Sequence, residues 1–171
     1  MIVHQLQLRS GSEAETRAIG AALAGVLVPG DVVGLTGDLG AGKTRLVQGA
    51  AEALGVTDPV ISPTFMIVRE HQGRVPVHHV DAYRLSGPTE LEDLGLEDVL
   101  DPGAVVLVEW ADQVARALPE SWVEVRLVVG PDDVRHLTVE PHGPAWEGRV
   151  PVLERALAPF ASHRTTGDAG R

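Results

Sequence analysis

One glycine-rich stretch decides the fold: Gly37-Asp38-Leu39-Gly40-Ala41-Gly42-Lys43-Thr44. It fits the pattern G-x-x-x-x-G-K-S/T at every fixed position. A short apolar segment, Val32–Thr36, precedes it and is typical of a strand buried on both faces of a parallel sheet. Residues 43–54 after it have helical spacing and end at Gly55. Strand, glycine-rich loop and helix in this order form a phosphate-binding loop (P-loop), because backbone N–H groups and the helix N-terminus face one anion. The stretch therefore predicts binding of a nucleoside triphosphate, without specifying the base or the reaction.

The residues of this loop have separate expected roles. Gly37, Gly40 and Gly42 let the backbone approach phosphate groups without a clash from Cβ. Lys43 is expected to be an exposed cation that reaches the β- and γ-phosphates, and the Thr44 hydroxyl is expected to hold Mg²⁺. Lys43 is the only lysine among the fourteen basic residues of the chain. A compact ammonium suits this position better than a planar guanidinium.

An acid at the end of a second apolar strand completes such a site. Val105-Val106-Leu107-Val108-Glu109 has four aliphatic residues followed by a carboxylate. Ligands of open α/β sheets bind at the carboxyl ends of the strands, where this carboxylate is expected. Glu109 is predicted to hold Mg²⁺, to orient an attacking water, or both. The alternative is a solvated acid at the end of a strand.

Two further segments contain candidate site residues. His79 and Asp81 lie on one face of a predicted strand, where Asp81 is expected to contact the metal through water or to sense the γ-phosphate. His78 points to the opposite face, which argues against a metal site shared by the two histidines. Thr64, in the turn Ser62-Pro63-Thr64-Phe65, occupies the place of a switch segment, and the alternative there is a plain proline turn. His142, like the other scattered histidines, shows no metal-ligand spacing.

The rest of the chain alternates strand and helix patterns. Predicted strands lie over 2–9, 32–36, 65–70, 75–81, 104–108, 122–129 and 134–140. Predicted helices lie over 13–28, 43–54, 88–94, 112–118 and 150–160, the first with Ser12 as its N-cap. This order predicts an α/β fold: a single P-loop NTPase domain over 1–161, with a largely parallel central sheet flanked by helices and an antiparallel hairpin at one edge. Residues 162–171 are predicted to form a flexible tail.

Composition limits the classes of function. The 171 residues include no cysteine, which excludes disulfides, a thiol nucleophile and zinc thiolates. No apolar run approaches the roughly 20 residues of a membrane span, and no export signal is recognisable, so we expect a cytoplasmic protein with no membrane partner. The net charge of −10, from 14 basic and 24 acidic residues, opposes direct binding to nucleic acid. Residues 91–100 are predicted to form an amphipathic core helix with a solvated acidic side, or alternatively an acidic docking face.

The motifs together resemble one family. GDLGAGKT, the Ser-Pro-Thr-Phe turn, His-Val-Asp-Ala-Tyr-Arg-Leu and Leu-Val-Glu-Trp resemble the TsaE (formerly YjeE) family in order and spacing over about residues 12–139. The resemblance implies an ATPase, with ATP as substrate and Mg²⁺ as cofactor, needed to form threonylcarbamoyladenosine in bacterial tRNAs that read ANN codons. It further implies two partners, the threonylcarbamoyl transferase subunit and its paralogous subunit, through which tRNA is contacted.

The resemblance also implies roles for single residues. Lys43 and Thr44 match the phosphate and magnesium positions and Glu109 the magnesium acid. Thr64 and Asp81 match switch positions, Trp110 matches the tryptophan beside the metal acid, and Thr16 is implied to lie near the adenine. Arg45 replaces a second small hydroxyl residue at the end of the nucleotide-binding loop and is expected to face away from the phosphates.

Other P-loop functions remain as alternatives. A small-molecule kinase requires an arginine-rich lid and an acceptor pocket, and neither has a recognisable run in the sequence. A GTPase is disfavoured, because the chain has no asparagine for the usual Asn-Lys-x-Asp guanine motif. A nucleotide-gated binding module without essential hydrolysis is the non-enzymatic alternative. No arginine of the chain is obviously placed as an arginine finger, although Arg84 is a candidate, so a partner is expected to complete the site.

Overall fold

The computed structural model describes residues 4–63 and 67–162. Its strands are β1 (Leu6–Ser10), β2 (Val32–Thr36), β3 (Val68–Gln72), β4 (Pro76–Asp81), β5 (Val105–Glu109), β6 (Trp122–Val129) and β7 (Arg135–His142). Its helices are α1 (Glu13–Ala24), α2 (Lys43–Ala53), α3 (Pro88–Asp93), α4 (Leu96–Val99) and α5 (Val150–Leu157). None of the helices within these two ranges has the length and apolar character that crossing a membrane requires.

The strands form one seven-stranded sheet in the order β1-β7-β6-β2-β5-β4-β3. The four central strands, β6, β2, β5 and β4, are parallel, which confirms the predicted α/β fold class. Antiparallel pairing occurs at both edges, since β3 pairs with β4 on one side and β1 adds to the β6–β7 hairpin on the other.

The register of the parallel strands aligns their carboxyl ends. Leu35 of β2 lies opposite Glu109 of β5, and Glu109 lies opposite Asp81 of β4. The glycine-rich loop begins directly after β2, so the loop and both carboxylates meet at one edge of the sheet. This is the edge at which open α/β sheets bind their ligands.

Alternate residues of the central strands face two separate cores. Val33 and Leu35 pack under α1, α2 and α5, whereas Val106 and Val108 pack on the opposite face under α3 and α4. Leu91 contributes to this second core, while the acidic side chains of α3 and α4 are exposed. Residues 91–100 therefore form an amphipathic core segment, as predicted. The left-handed Gly95 divides this segment into α3 and α4.

Three predicted helices differ from the structure by more than one residue. The helix predicted over 13–28 ends at Ala24, because the N–H groups of Val26 and Leu27 bond three residues back instead of four. Pro159 has no N–H to donate, so α5 ends at Leu157 and continues as a single 3₁₀ turn. The helix predicted over 112–118 is a pair of 3₁₀ turns. Ser12 caps α1 as predicted, accepting a hydrogen bond from the Glu15 N–H.

The chain ends fall partly outside the described residues. Residues 2–3 and 65–66 of two predicted strands lie outside the described residues, and the strands that the structure shows there are β1 and β3. Most of the predicted tail, 163–171, also lies outside them. Ser162, the first residue of that tail, donates its N–H to the Gln7 carbonyl (2.8 Å), and Ala161 bridges to Leu8. Ala161 and Ser162 therefore pair with β1.

Helices α1 and α2 approach each other closely at two glycines. A Cβ on Gly20 would lie 2.1 Å from the Leu46 carbonyl oxygen, and a Cβ on Gly49 would lie 2.0 Å from the Arg17 carbonyl oxygen. Real Cβ atoms do not approach backbone so closely, so the two helices touch through their backbones. This contact sets the position of α2, whose first turn carries Lys43 and Thr44.

We expect Gly49→Ala to lower the free energy of unfolding by about 1–3 kcal/mol, because the added methyl group has to push α1 away. Replacing a glycine within a helix by alanine otherwise stabilises the helix by about 0.5–1 kcal/mol, so a net loss of stability identifies the clash. Gly148→Ala is the control, because a Cβ there meets no atom within 4 Å. Urea unfolding followed by circular dichroism measures both variants, and a Gly49→Ala protein as stable as the wild type contradicts the close packing.

Candidate functional site

The glycine-rich loop connects the end of β2 to the first turn of α2. Gly37 and Gly42 have φ angles of 147° and 109°, and a Cβ on Gly37 would lie 2.5 Å from the Leu127 carbonyl oxygen. Gly42 is the N-cap of α2 and, as a glycine, offers no side-chain acceptor to the first N–H groups of this helix. Gly42, Lys43 and Thr44 line a cleft of about 590 Å³. A helix N-terminus of this kind beside a cleft favours an anionic ligand.

Most residues that the sequence singles out meet in this cleft. Those that line it are Thr16, Leu39, Gly40, Gly42, Lys43, Thr44, Arg45, Asp81 and Glu109. Gly37 and Asp38 instead turn their carbonyl groups toward Lys43, and Ala41 packs into the core. Thr64 lies outside the described residues, so its predicted role has no structural description.

Lys43 is buried, which corrects the expectation of an exposed cation. Only 5% of the residue is accessible. Its Nζ donates to the carbonyl oxygens of Gly37 (2.5 Å) and Asp38 (2.9 Å) and lies 3.9 Å from the centre of the Trp110 ring. The side chain thus folds back on its own loop beneath an aromatic ring, an arrangement in which the ring face attracts the ammonium.

Trp110 owes its position to an unusual backbone. It follows β5 directly and has φ 58° and ψ 40°, a left-handed conformation that a bulky residue rarely adopts. This turn aims the indole at Lys43, and the Tyr83 ring packs against it with centroids 4.9 Å apart. The backbone is strained at this residue, and the contacts of the indole with Lys43 and Tyr83 stabilise the strained conformation.

Glu109 forms the centre of a hydrogen-bonded chain. The Thr44 hydroxyl donates to its Oε1 (2.7 Å), and Nε2 of His79 lies 2.5 Å from its Oε2. Glu109 is 3% accessible and His79 is fully buried. The chain connects the first turn of α2, the end of β5 and the middle of β4, so the carboxylate is held from two sides.

Asp81 lies beside this chain at the end of β4. Its carboxylate accepts hydrogen bonds from the Ser62 hydroxyl and from the Tyr83 N–H (3.0 Å). His79 and Asp81 both face the site, as the period of two predicts, while His78 points away and its Nδ1 lies 2.7 Å from the Val99 carbonyl oxygen. The predicted separation of the two histidines is therefore present in the structure.

Thr16 of α1 and Arg45 of α2 also line the cleft. Thr16 is buried and its hydroxyl is hydrogen-bonded to Ser10 Oγ (2.7 Å), which ties α1 to the end of β1. Arg45 lies toward the surface, where its Nη1 donates to the Gln48 side chain (3.1 Å) and its Nε lies 3.6 Å from Glu13. Both side chains are already engaged by protein groups.

Comparison with known proteins establishes the family. The family model described as "Threonylcarbamoyl adenosine biosynthesis protein TsaE" matches residues 10–137. The chain belongs to the TsaE family. A relative from Bacillus subtilis (strain 168), named tRNA threonylcarbamoyladenosine biosynthesis protein TsaE, is 42% identical over 152 residues, covering 88% of this chain and 95% of the relative. A protein of the same name from Streptomyces coelicolor is 46% identical over 138 residues, covering 76% and 93%.

A solved structure confirms the fold of this TsaE family member. The crystal structure of Bacillus subtilis YdiB matches with a TM-score of 0.79 and 36% sequence identity, covering 91% of this chain and 97% of that one. The resemblance drawn from the motifs is therefore confirmed. TsaE family proteins function in tRNA threonylcarbamoyladenosine biosynthesis, as the names of the relatives state.

One residue of the cleft has no signal in the sequence. Arg135, at the start of β7, donates from Nη2 to the Gly40 carbonyl (3.3 Å) and from Nη1 to the Asp133 carbonyl (2.7 Å). It reaches the loop because β7 lies next to β6, which in turn pairs with β2. Only the order of strands in the sheet brings this guanidinium to the loop, and no local motif records that order.

A second cluster forms on the surface of the β6–β7 hairpin. Glu124 lies opposite Glu140 in the register, and Nε2 of His142 lies 3.0 Å from Glu124 Oε2. One carboxylate oxygen of Glu124, one of Glu140 and a ring nitrogen of His142 lie within 4.8 Å of one another. The sequence spacing of His142 did not predict this grouping. Arg126 contacts both carboxylates, at 3.1 and 3.2 Å, so the cluster forms an ion-pair network.

Burial lowers the pKa of Lys43 below its ordinary value, and the nearby carboxylates, Glu109 first among them, limit the decrease. We therefore expect its ammonium to lose its proton at a lower pH than a free lysine side chain does. Because Lys43 is the only lysine, its ¹³Cε signal can be titrated by NMR without ambiguity. Glu109→Gln removes an opposing charge and is expected to lower the pKa further.

Glu154→Gln, an exposed change on α5, is the control for that titration and is expected to leave the pKa of Lys43 unchanged. A wild-type Lys43 pKa at or above the ordinary lysine value contradicts the buried position. An increase of the pKa in Glu109→Gln contradicts the proximity of that carboxylate.

Proposed function

We propose that this chain binds Mg-ATP in the cleft and hydrolyses it to ADP and phosphate, slowly when alone. In this proposal it supports a threonylcarbamoyl transferase subunit and its paralogous partner subunit in the cytoplasm. Together they form threonylcarbamoyladenosine in tRNAs that read ANN codons. The observation that carries the proposal is the Thr44–Glu109 hydrogen bond of 2.7 Å at the N-terminus of α2, beside Lys43. It combines a phosphate-binding loop with a buried acid from the neighbouring strand.

The donor set of the cleft fits a magnesium ion. The Thr44 hydroxyl and the Glu109 carboxylate supply hard oxygen ligands, which Mg²⁺ prefers. Asp81, opposite Glu109 in the sheet register and in the same cleft, is proposed to act through water. Thr44 can bind a cation through its oxygen while still donating its proton to Glu109. When bound, Mg²⁺ neutralises phosphate charge. In this assignment Thr44 and Glu109 hold the metal.

The remaining residues of the loop have roles toward the nucleotide. The N–H groups of residues 37–44 cradle the phosphates, and Lys43 exchanges its loop carbonyl partners for β- and γ-phosphate oxygens. Glu109 also orients the attacking water, and Asp81 senses the γ-phosphate. Thr64 is proposed as a switch residue from its sequence position. Thr16 and Arg45 line the side of the cleft assigned to the adenosine.

The surface supports a division of labour with partner proteins. The net charge of −10 argues that tRNA is contacted mainly by the partners. Three exposed apolar side chains, Leu39, Ile61 and Tyr83, border the cleft. An apolar rim around a polar site favours coverage by another protein, which would also exclude water from the phosphates.

One pair of assays separates this proposal from its alternatives. ATP turnover is measured with and without the two partner subunits, and tRNA modification is measured with this chain present and absent. Turnover stimulated by the partners, with modification that depends on this chain, supports the ATPase. Modification supported equally by a non-hydrolysable ATP analogue indicates a nucleotide-gated binding module. Phosphate transfer to a small acceptor indicates a kinase.

We expect Lys43→Ala to weaken ATP binding about 10- to 150-fold. One charge-assisted hydrogen bond contributes about 1.5–3 kcal/mol, and each 1.4 kcal/mol is a factor of ten. Calorimetry with ATP and Mg²⁺ measures the loss, and circular dichroism checks that the variant is folded. Arg155→Ala is the matched control, because it removes one positive charge from the exposed side of α5. Unchanged ATP affinity in folded Lys43→Ala contradicts the phosphate-loop assignment.

Glu109→Gln is expected to retain ATP but to lower turnover by about 10²-fold or more, because the loop amides and Lys43 still bind phosphate while placement of metal and water fails. Glutamine is used because alanine would leave the donors Thr44 and His79 without an acceptor, and His79 is fully buried. Turnover is measured with the partner subunits present, and Glu154→Gln is the control. Turnover close to that of the wild type would remove Glu109 from the mechanism and direct attention to Asp81.

A further inference from the structure

His79 is a polar residue at a position where the fold alone favours an apolar one. It lies in β4 opposite Leu107 of β5 and is fully buried, as are its neighbours Val77 and Val80 on the same strand. Its Nδ1 has no hydrogen-bond partner among the described residues. A buried nitrogen without a partner costs free energy, so packing does not account for an imidazole at this position.

The contact of His79 with Glu109 determines where its proton lies. Nε2 is 2.5 Å from Glu109 Oε2, and a carboxylate oxygen can only accept. Nε2 therefore carries a proton and donates it to Oε2. The reverse tautomer would place two lone pairs against each other. The hydrogen bond forms whether or not Nδ1 also carries a proton.

This hydrogen bond and that from Thr44 occupy different oxygens of the same carboxylate. Thr44 donates to Oε1 and His79 to Oε2, from α2 and β4 respectively. The terminal torsion of a glutamate is broad, so a carboxylate held at one oxygen alone still rotates. Two donors from rigid elements fix its plane and leave the Oε1 edge directed toward Thr44 and the cleft.

We propose that His79 is a positioning residue: its Nε2–H fixes the Glu109 carboxylate so that Oε1 and the Thr44 hydroxyl present one preformed pair of oxygen donors to the metal ion. The proposal rests on the proposed function, since it assumes that Thr44 and Glu109 hold Mg²⁺ with ATP. His79 itself touches neither nucleotide nor metal. Outer hydrogen bonds of this kind typically change metal affinity or activity about 10- to 100-fold when they are removed.

Two amide variants of different length test the hydrogen bond. The side-chain amide of His79→Gln extends about as far as Nε2 and can still donate to Glu109, whereas that of His79→Asn is one methylene shorter and falls short of it. His79→Phe keeps the ring shape without a donor. The adjacent His78→Phe is the matched control, because His78 is also buried in β4 but contacts Val99 on the opposite face.

Metal affinity is the first readout, because a merely structural role would not change it selectively. Mn²⁺ binding to each protein with a non-hydrolysable ATP analogue is measured by electron paramagnetic resonance. Nucleotide affinity without metal and the urea midpoint are measured alongside. We expect Mn²⁺ affinity to fall about 10- to 100-fold in His79→Asn and His79→Phe. We expect at most a few-fold loss in His79→Gln and none in His78→Phe. The Mg²⁺ concentration for half-maximal turnover should rise in the same order.

The outcomes distinguish failure of the positioning role of His79 from failure of the proposed function. Equal Mn²⁺ affinity in all His79 variants and the wild type overturns the positioning role while leaving the proposed function in place. Equal loss in His79→Gln and His79→Asn also overturns it, because a donor at the right distance would then have no effect. A wild-type protein that binds neither the analogue nor Mn²⁺ overturns the proposed function, and this inference with it. If His79→Phe does not fold, the comparison of Mn²⁺ affinity between His79→Gln and His79→Asn still tests the positioning role.

Discussion

The hydrogen bond from Thr44 to Glu109 is the contact on which the site depends. It joins the first turn of α2 to the last residue of β5. It can form only because β2 and β5 are parallel neighbours, with Leu35 opposite Glu109, so that the loop leaving β2 passes the end of β5. The parallel pairing of β5 with β4 then adds Asp81 to the same edge. Three elements far apart in sequence thereby supply one small group of polar side chains.

These polar groups are exceptional within an aliphatic core. Lys43, Asp81, Glu109 and His79 are all buried, while the apolar residues of the strands below them are valine and leucine. Buried charges are costly unless they are paired and hydrogen-bonded, and here the carboxylates accept from Ser62, Tyr83, Thr44 and His79. Two carboxyl groups, Asp81 and Glu109, thus lie near a single ammonium that is bonded to carbonyl oxygens. This excess of oxygen ligands over cations favours a further cation at this place, which agrees with the proposed magnesium site.

Local patterns predicted the elements that local physics determines. β2 and β6 have the predicted bounds, Ser12 caps α1, and the loop lies between strand and helix as the glycine pattern requires. Features that depend on strand order or on register were not predictable in this way. Arg135 reaches Gly40 only through the order β7-β6-β2, and Glu124 meets His142 only through the hairpin register. The burial of Lys43 depends on the left-handed turn at Trp110, a conformation that no propensity indicates for tryptophan.

The contacts of Lys43 determine what a ligand must offer in order to bind. In this structure the ammonium already has two carbonyl acceptors and an aromatic face, so a phosphate group replaces existing interactions. The ammonium is attracted more strongly by an anionic phosphate oxygen than by a neutral carbonyl oxygen, so a phosphate displaces the carbonyls where a neutral ligand would not. A ligand that reaches only the loop gains that difference and the contacts with the loop N–H groups. One that also brings a metal ion to Thr44 and Glu109 neutralises the buried negative charge as well. Under the proposed function, the site therefore favours a metal-bound triphosphate through its differential interactions, which any nucleotide-driven change of state requires.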